Sequence, residues 1–514
     1  MAATSPATRD RDADGRIVIV GAGFGGLAAA IELRRAGFDE ISVLEAGEDL
    51  GGTWLYNDYP GAACDVPGHA YSFSFAQRRD WSRRCSLRDE ILDYMRRVAA
   101  RHRVSELIEC SQTVTRCELD RDRGRWLVAT ADGGVREAHA LVLAVGQLNR
   151  PRIPRLAGLD SFAGHSFHSA RWDHAYDLRG RRVAVVGTGA SAVQFIPEIA
   201  PVVARLDVFQ RSASWLLPRR NRVYPPHLRR LLALAPGLQR LRRAGMFAAL
   251  ELLTASIRNP RTLGRLLAAR SAMFMRSQLS DPELRRRAWP DYTFGCKRVL
   301  FSSRYLPALS RPNVRLICEP IRELTPAGPR TADGVVHEVD CIIWATGFQT
   351  QAPLEGIEIS GADGRRLADA WAHGPYAHLG ITVPGFPSMF LMYGPNTNTS
   401  GGSIIFFLEA QARYIRQALV HSRSLGWRLL DVRPEVAAAF DAETQARFAG
   451  TAWLDCASWY RNERGRIVAN WPGYMREYRR ATASFRPSDY VLFGPAVAPT
   501  PPDAGAARSA PAAS

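Results

Sequence analysis

The chain has 514 residues, 46% of them hydrophobic, and a formal net charge of +17. This length allows two or three domains with cores of their own, and the composition is that of a globular protein. No run reaches the roughly 18 apolar residues that a membrane-spanning helix needs, and the polar start lacks a secretion signal, which predicts a cytoplasmic protein. Residues 1–15 are predicted to be a disordered leader and residues 496–514 a disordered tail.

Much of the positive charge lies in one segment. Between His227 and Pro290 there are thirteen arginines and three acidic residues, so +10 of the excess falls there. A solvated helical surface is the simpler explanation, and no nucleic-acid partner is expected. Weak contact with an anionic membrane leaflet is the alternative, because apolar clusters such as residues 246–250 interleave with the arginines.

The eight cysteines are scattered along the chain, and no two of them form a CxxC motif: Cys64, Cys85, Cys110, Cys117, Cys296, Cys318, Cys341 and Cys456. This spacing argues against a redox dithiol and against a zinc site, so no metal is expected. Reduced thiols are predicted throughout.

The first predicted element is a βαβ unit. A short apolar run at residues 16–20 precedes GAGFGG, a helical pattern follows, and ISVLEAG reads as the next strand. Gly21, Gly23 and Gly26 form G-x-G-x-x-G, with Phe24 inside the motif, and Glu45 ends the second strand. Such a turn lets a pyrophosphate approach the helix N-terminus, and the acid accepts hydrogen bonds from a ribose, which predicts dinucleotide binding.

A second unit of the same kind begins at Arg181. Gly187 and Gly189 are followed by Ala192 at the third motif position, an accepted variant, and Thr188, Ala190 and Ser191 complete the turn. The next strand ends at Arg211 and Ser212, where a ribose-binding acid would otherwise stand. A guanidinium there favours the 2′-phosphate of NADPH over NADH.

These units predict an α/β protein with two Rossmann-like domains, the first discontinuous, and a helical insertion in the second. The expected FAD-binding domain comprises residues 16–148 and 345–495. The expected NADP-binding domain comprises residues 149–344, with the insertion at about 222–290. FAD and NADPH are the predicted cofactors, because two dinucleotide sites suggest a carrier and a reductant.

Between the two loops lies Phe162-Ala-Gly164-His-Ser-Phe-His168-Ser-Ala-Arg-Trp172-Asp173. It resembles the type I Baeyer–Villiger monooxygenase fingerprint, F-x-G-x-x-x-H-x-x-x-W-[P/D], with every fixed position filled. The resemblance extends over nearly the whole chain. It includes Gly52-Thr53-Trp54, Asp65 and Tyr71 on the flavin side, the Ala345-Thr346-Gly347 hinge, Lys297-Arg298, and Trp459. The Pro395–Asn398 and C-terminal patterns depart from those of the better-known ketone oxidisers.

The resemblance implies Baeyer–Villiger oxidation. NADPH would reduce FAD, and a C4a-peroxyflavin formed with O2 would insert one oxygen atom next to a ketone carbonyl, giving an ester or lactone. Arg298 would stabilise the peroxide and the adduct, with Asp65 orienting it. Lys297 would hold the NADP phosphate or ribose and Trp459 would contact the cofactor. The fingerprint residues are expected to hold a domain hinge.

Alternatives stay open from the sequence alone. An N- or S-oxygenating flavin-containing monooxygenase is the nearest one, acting on amines or sulfides. A flavin disulfide reductase would need the CxxC that the sequence lacks, and a membrane-docked NADPH sensor would use only the basic helices. The ketone itself is not encoded in a readable motif, and either a monomer or a dimer is compatible with the sequence.

Overall fold

The computed structural model describes residues 15–219, 221–350 and 354–494. The predicted leader, apart from Gly15, and the whole predicted tail lie outside these residues. In the described part, strands and helices alternate along most of the chain.

The strands, in chain order, are β1 (Ile17–Val20), β2 (Ile41–Leu44), β3 (Ile108–Glu109), β4 (Val114–Asp120), β5 (Arg125–Thr130), β6 (Val135–Ala138), β7 (Ala140–Leu143), β8 (His165–His168), β9 (Arg182–Val186), β10 (Arg205–Phe209), β11 (Leu216–Leu217), β12 (Leu300–Phe301), β13 (Val314–Ile317), β14 (Ile321–Thr325), β15 (Gly328–Thr331), β16 (Cys341–Trp344), β17 (Glu358–Ser360), β18 (Met389–Leu391), β19 (Leu429–Val432) and β20 (Tyr490–Phe493).

The α-helices are α1 (Phe24–Arg35), α2 (Thr53–Tyr56), α3 (Arg88–Arg101), α4 (Ala190–Ile199), α5 (Pro226–Leu234), α6 (Pro236–Arg258), α7 (Arg265–Gln278), α8 (Pro282–Arg287), α9 (Tyr305–Leu309), α10 (Leu367–Ala370), α11 (Ile404–Ser424), α12 (Pro434–Ala446) and α13 (Met475–Ala481). A π-helical turn, Pro260–Gly264, joins α6 to α7.

The first large sheet has the strand order β18-β7-β1-β2-β3, and all of its pairs are parallel. Strand β1 is buried along its whole length, as expected for a parallel strand covered on both faces. Helix α1 follows the first glycine loop and packs against the long helix α11. The sheet thus combines strands from the first 143 residues with β18, far along the chain.

The second large sheet has the order β13-β10-β9-β16-β8, again entirely parallel. Helix α4 leaves the second glycine loop and buries Val193, Phe195 and Ile196 in the core beside this sheet. Two parallel sheets, each opened by a glycine loop and a helix, confirm the predicted α/β class with Rossmann-like units.

Helices α5 to α8 lie between β11 and β12, where the sequence predicts a helical insertion. A separate four-stranded sheet has the strand order β17-β4-β5-β6. Of the helices in the described residues, none combines the length and apolar character needed to cross a bilayer.

The prediction that every cysteine is reduced is wrong for one pair. Cys296 and Cys456 form a disulfide with their Cα atoms 6.1 Å apart, while the other six thiols are free. The two cysteines are separated by 160 residues, so no local spacing could signal the pairing. The tertiary fold alone brings them together.

Candidate active site

The two glycine loops have the same backbone geometry. Gly21 and Gly187 have φ of +101° and +107°, and a Cβ at either would lie 2.7 or 2.5 Å from the carbonyl oxygen of Ala144 or Ala345. Only glycine fits there, because both the positive φ and the close carbonyl exclude a side chain. The sequence repeat is therefore a structural repeat.

Each loop also presents an open helix N-terminus. Gly23 and Gly189 are the N-cap residues of α1 and α4, in matching extended conformations, and no side chain caps either helix. A Cβ at Gly189 would meet nothing within 4 Å, so space is open over that turn. Uncapped amides with no acidic residue in the first turn are suited to bind phosphate.

Glu45 lies beside the first loop, as predicted. Its side chain is buried and accepts hydrogen bonds from the backbone N–H of Ala22 at 2.7 Å and of Gly47 at 2.8 Å. These bonds fix the carboxylate at the cavity wall. Oε1 also accepts from the Tyr56 hydroxyl at 3.5 Å, and Oε2 keeps a lone pair for a ribose hydroxyl.

Aromatic side chains surround the same loop. The ring of Phe24 packs edge-on against Tyr71 and Phe73, each at 5.4 Å between centroids. The indole N–H of Trp54 donates to the Tyr71 hydroxyl at 3.1 Å. The predicted flavin-side residues thus form one connected wall.

At the second loop, three predicted residues come together. Lys297 Nζ donates to Ser212 Oγ at 3.0 Å. The pKa of Lys297 is lowered, mainly because its side chain is partly buried and also because Arg211 carries a positive charge nearby. An anion bound at this point would relieve the repulsion between the two cations, as a 2′-phosphate would.

Arg298 and Asp65 meet although 233 residues separate them. Arg298 Nη2 donates to Asp65 Oδ2 at 3.3 Å, and the Asp65 side chain is 8% exposed against 44% for Arg298. The carboxylate is therefore the fixed member of the pair, and the guanidinium faces the cavity.

Two residues that the sequence reasoning missed hold the other oxygen of Asp65. Gln194 Nε2 donates to Oδ1 at 3.3 Å, and Arg219 Nη1 lies 3.9 Å from the same atom. Gln194 also donates to the carbonyl of Ala63 and accepts from its N–H. Its position in α4, two residues after the glycine motif ends, was the available signal, but a lone glutamine carries no recognisable spacing.

The charge of Arg298 is secured by this arrangement. Burial alone would lower the pKa of its guanidinium, and the negative charge of Asp65 reverses that effect and holds the pKa above its ordinary value. Arg298 thus carries a permanent positive charge at the wall of the cavity.

One cavity of about 1500 Å³ connects both loops with Arg298. The predicted residues that line it are Gly21, Gly23, Phe24, Glu45, Gly52, Thr53, Trp54, Asp65, Tyr71, Gly187, Thr188, Gly189, Ala190, Ser191, Arg211, Ser212, Thr346, Gly347, Lys297, Arg298 and Trp459. Gly26 and Ala192 stand behind the loops instead, where Gly26 allows α1 to approach the carbonyl of Gly21.

The fingerprint residues stand away from the cavity. Trp172 packs edge-on against Phe167 and Phe195, and Asp173 accepts from His165 Nε2 at 2.9 Å. Phe162 lies against a hydrophobic cluster, and a Cβ at Gly164 would be 2.7 Å from the Asp340 carbonyl oxygen. This placement favours a structural role for these residues.

His168 connects the fingerprint with residues 345–350, where the chain returns from the second large sheet to the first. It ends β8, which pairs with β16, and its ring contacts Phe348, just beyond Thr346 and Gly347. Burial lowers the pKa of His168 to about 4, so the ring is neutral near pH 7. That protonation state suits packing at a hinge rather than proton transfer.

The two crossovers between the large sheets lie side by side. Arg152 N–H donates to the Gly347 carbonyl at 2.9 Å, and Gln349 N–H donates to the Arg150 carbonyl at 3.0 Å. The Thr346 hydroxyl also donates to the carbonyl of Arg152. The crossovers therefore form a short antiparallel ribbon.

The C-terminal segment closes the cavity on another side. Trp459 is 38% exposed and lies 4.3 Å from the Tyr460 ring, centroid to centroid. The disulfide from Cys456 ties this segment to Cys296, next to Lys297. The disulfide therefore links the two segments that carry the predicted cofactor contacts Lys297 and Trp459.

Two glycine loops with uncapped helix N-termini face one cavity that also holds Arg298, and this arrangement fits an oxidoreductase that uses two dinucleotides. Residues 18–235 match the family model described as pyridine nucleotide-disulphide oxidoreductase. A Baeyer-Villiger monooxygenase of Pseudomonas aeruginosa is 38% identical over 93% of this chain and 91% of its own length. Another, of Streptomyces coelicolor, is 40% identical over 94% and 93%. The chain belongs to the Baeyer–Villiger monooxygenases.

Solved structures agree with this assignment. An oxidized steroid monooxygenase bound to NADP superimposes with a TM-score of 0.83 at 29% identity, covering 94% of this chain and all of that one. The closed structure of cyclohexanone monooxygenase also gives 0.83, at 29% identity and with 94% and 99% coverage. The chain is thus an FAD- and NADPH-dependent monooxygenase, and N- or S-oxygenation is not favoured as its main activity.

Proposed function

We propose that this enzyme inserts one oxygen atom of O2 next to the carbonyl of a small, apolar organic ketone, and that Arg298 is its catalytic residue. The observation that carries the proposal is the Arg298–Asp65 pair, placed in the cavity that both glycine loops share. The flavin, when bound, supplies the activation of O2.

The first loop fits FAD by its chemistry. The turn at Gly21 and the open α1 N-terminus suit a pyrophosphate, Glu45 suits a ribose, and Trp54 and Tyr71 form an aromatic wall. Gly52 has φ of +53°, and its lack of a side chain lets its backbone approach that of Gly23, where a Cβ would lie 3.2 Å from the Gly23 Cα. We assign residues 16–148 and 345–495 to the domain that holds this group.

The second loop fits NADPH. Gly187 to Ala192 would hold the pyrophosphate, while Arg211, Ser212 and Lys297 would hold the 2′-phosphate. NADH would leave the two cations without an anion. We assign this function to residues 149–344.

Arg298 has the properties that the oxidation requires. Negative charge develops on the substrate's carbonyl oxygen when its carbon is attacked, and a fixed guanidinium stabilises that charge. Asp65, held in turn by Gln194, positions the guanidinium through one oxygen, Oδ2. We therefore consider Asp65 a positioning residue.

The cavity wall suggests the substrate class. Met246, Leu250 and Leu253 from α6 and Leu267 from α7 line it together with Leu408. Such a wall binds an apolar ketone and excludes water, which would otherwise compete in the reaction.

The proposal is tested with Arg298→Ala. We expect the reduction of FAD by NADPH to stay within about threefold of the wild-type rate, while ester formation falls by about a hundredfold or more. Arg304→Ala is the matched control, because Arg304 is 64% exposed, pairs with Glu198 and does not line the cavity. Wild-type ester yield from Arg298→Ala contradicts the proposal. A sulfide assayed in parallel measures the secondary S-oxygenation.

A further inference from the structure

Helix α6 carries an exposed stripe without charge. Leu238, Leu241 and Leu252 are 41%, 71% and 51% exposed, and Gly245 and Ala248 are exposed between them. Their spacing of three, four, three and four residues places all five on one face of the helix. We call these five residues the α6 stripe.

Large apolar side chains are also exposed on the helices that precede and follow α6. Leu231 and Leu234 of α5 are 51% and 82% exposed, and Leu266 and Met273 of α7 are 66% and 70% exposed. An isolated exposed leucine needs no explanation, but a group of large apolar side chains on adjoining helices indicates an interaction surface.

Basic residues surround this surface. Arg230 and Arg240 are exposed near the N-terminal end of the stripe, and Arg265, Arg270 and Arg276 are exposed on α7. Residues 227–290 carry an excess of ten positive charges. A second copy of this chain would bring two such surfaces together and repel, whereas an anionic lipid surface complements both the charge and the leucines.

The stripe also ends at the cavity. Ala249 and Leu252 are exposed and, at the same time, line the cavity that holds Arg298. The inner side of α6 continues this apolar lining with Met246, Leu250 and Leu253. Apolar residues on the exposed side of α6 therefore adjoin the apolar lining of the cavity that holds Arg298.

We propose that the α6 stripe, with the exposed apolar side chains of α5 and α7, docks on an anionic lipid bilayer. Apolar ketones dissolved in the bilayer then enter the cavity past Leu252. The leucines insert among the acyl chains, and the flanking arginines bind lipid phosphates. The entry step rests on the proposed oxygenation of ketones, whereas the docking step does not.

Docking is tested by sedimentation with vesicles. We expect the FAD-loaded enzyme to bind vesicles of equal parts phosphatidylcholine and phosphatidylglycerol at about 0.1 M NaCl. Binding should weaken severalfold at about 0.5 M NaCl and be lost on pure phosphatidylcholine. The triple variant Leu234→Gln, Leu238→Gln, Leu241→Gln should bind at least about tenfold more weakly, because polar side chains replace the inserted leucines. None of the three leucines lines the cavity, so the candidate active site keeps its lining.

The matched control is Val135→Gln, Val202→Gln, Val335→Gln, whose side chains are 56%, 45% and 49% exposed on other parts of the chain. It should bind as the wild type does. Full FAD content in each variant verifies folding. Equal vesicle binding by the wild type and the Leu variant, or no binding by either, overturns the proposal. A change in sedimentation coefficient of the Leu variant without lipid would instead assign the stripe to self-association.

Entry is tested separately by activity. The Leu variant should keep the wild-type rate on a small water-soluble ketone and lose about tenfold in kcat/KM on a long-chain ketone presented in the vesicles. Equal rates on the long-chain ketone overturn entry from the bilayer. Absence of ester formation by the wild type on both ketones, together with wild-type binding to the vesicles that the Leu variant lacks, would count against the proposed oxygenation and leave docking supported.

Discussion

Replacing Asp65 with asparagine preserves the shape of the side chain and removes its charge. Asp65 Oδ2 lies 3.3 Å from Arg298 Nη2, and unit charges at that separation attract by about 5 kcal/mol at an effective dielectric constant of 20. Because the Arg298 side chain is 44% exposed, solvent screening lowers this figure to about 2 kcal/mol. The expected consequence is a loss of about thirtyfold in the rate of ester formation.

The assay separates the two half-reactions. Stopped-flow reduction of FAD by NADPH should change by less than about threefold, because Asp65 does not contact the predicted phosphate-binding residues of the second loop. Product analysis then measures ester formed per NADPH consumed. Asp58→Asn is the matched control, since Asp58 pairs with His174 and does not line the cavity. Ester formation within threefold of the wild type, or an equal loss in both half-reactions, refutes the reasoning.

Four further predictions concern the cofactor loops and stability. Arg211→Ala should raise the KM for NADPH at least about tenfold and leave that for NADH unchanged; equal effects in steady-state kinetics would contradict a phosphate contact. Gly187→Ala should abolish reduction by NADPH, because its Cβ would lie 2.5 Å from a carbonyl oxygen. Gly180→Ala, with φ of +68° and no atom within 4 Å, should keep that activity, and parallel loss in both would point to backbone strain alone. Cys456→Ser should lower the free energy of unfolding by up to about 5 kcal/mol, since the disulfide closes a loop of 160 residues, and chemical denaturation measures this. Burial lowers the pKa of His378 to about 4, so protonation of this residue favours the unfolded chain below pH 6.5. The free energy of unfolding should therefore fall by roughly 2 kcal/mol between pH 7 and 5. His378→Gln should make thermal stability less dependent on pH over this range, and an unchanged dependence would contradict the role of His378.

The local parts of the fold are readable in the sequence. A β-branched run, a glycine turn and a helical pattern are determined by neighbouring residues, so both loops and the helical insertion could be predicted. The same holds for Glu45 and Arg211, which occupy fixed positions in those units.

The remaining parts depend on distant contacts. Arg298 and Asp65 could be paired only through the family resemblance, and Gln194 and Arg219 were missed because no spacing connects them with Asp65. The exposed α6 stripe is a further case. Its leucines have the spacing of a buried helical face, and only the three-dimensional packing shows that nothing in the described residues covers them.

The disulfide changes the covalent topology of the enzyme. The polypeptide passes between the large sheets at residues 146–154 and again at residues 345–350, and Cys296 and Cys456 lie on either side of the second passage. The chain from 296 to 456 is thus a closed ring that includes this passage. A single proteolytic cut within the ring would leave both pieces attached, and they would migrate as one band on a gel until a reductant separated them. Oxidised and reduced enzyme would then differ in how freely the Arg298 segment and the Trp459 segment can move apart.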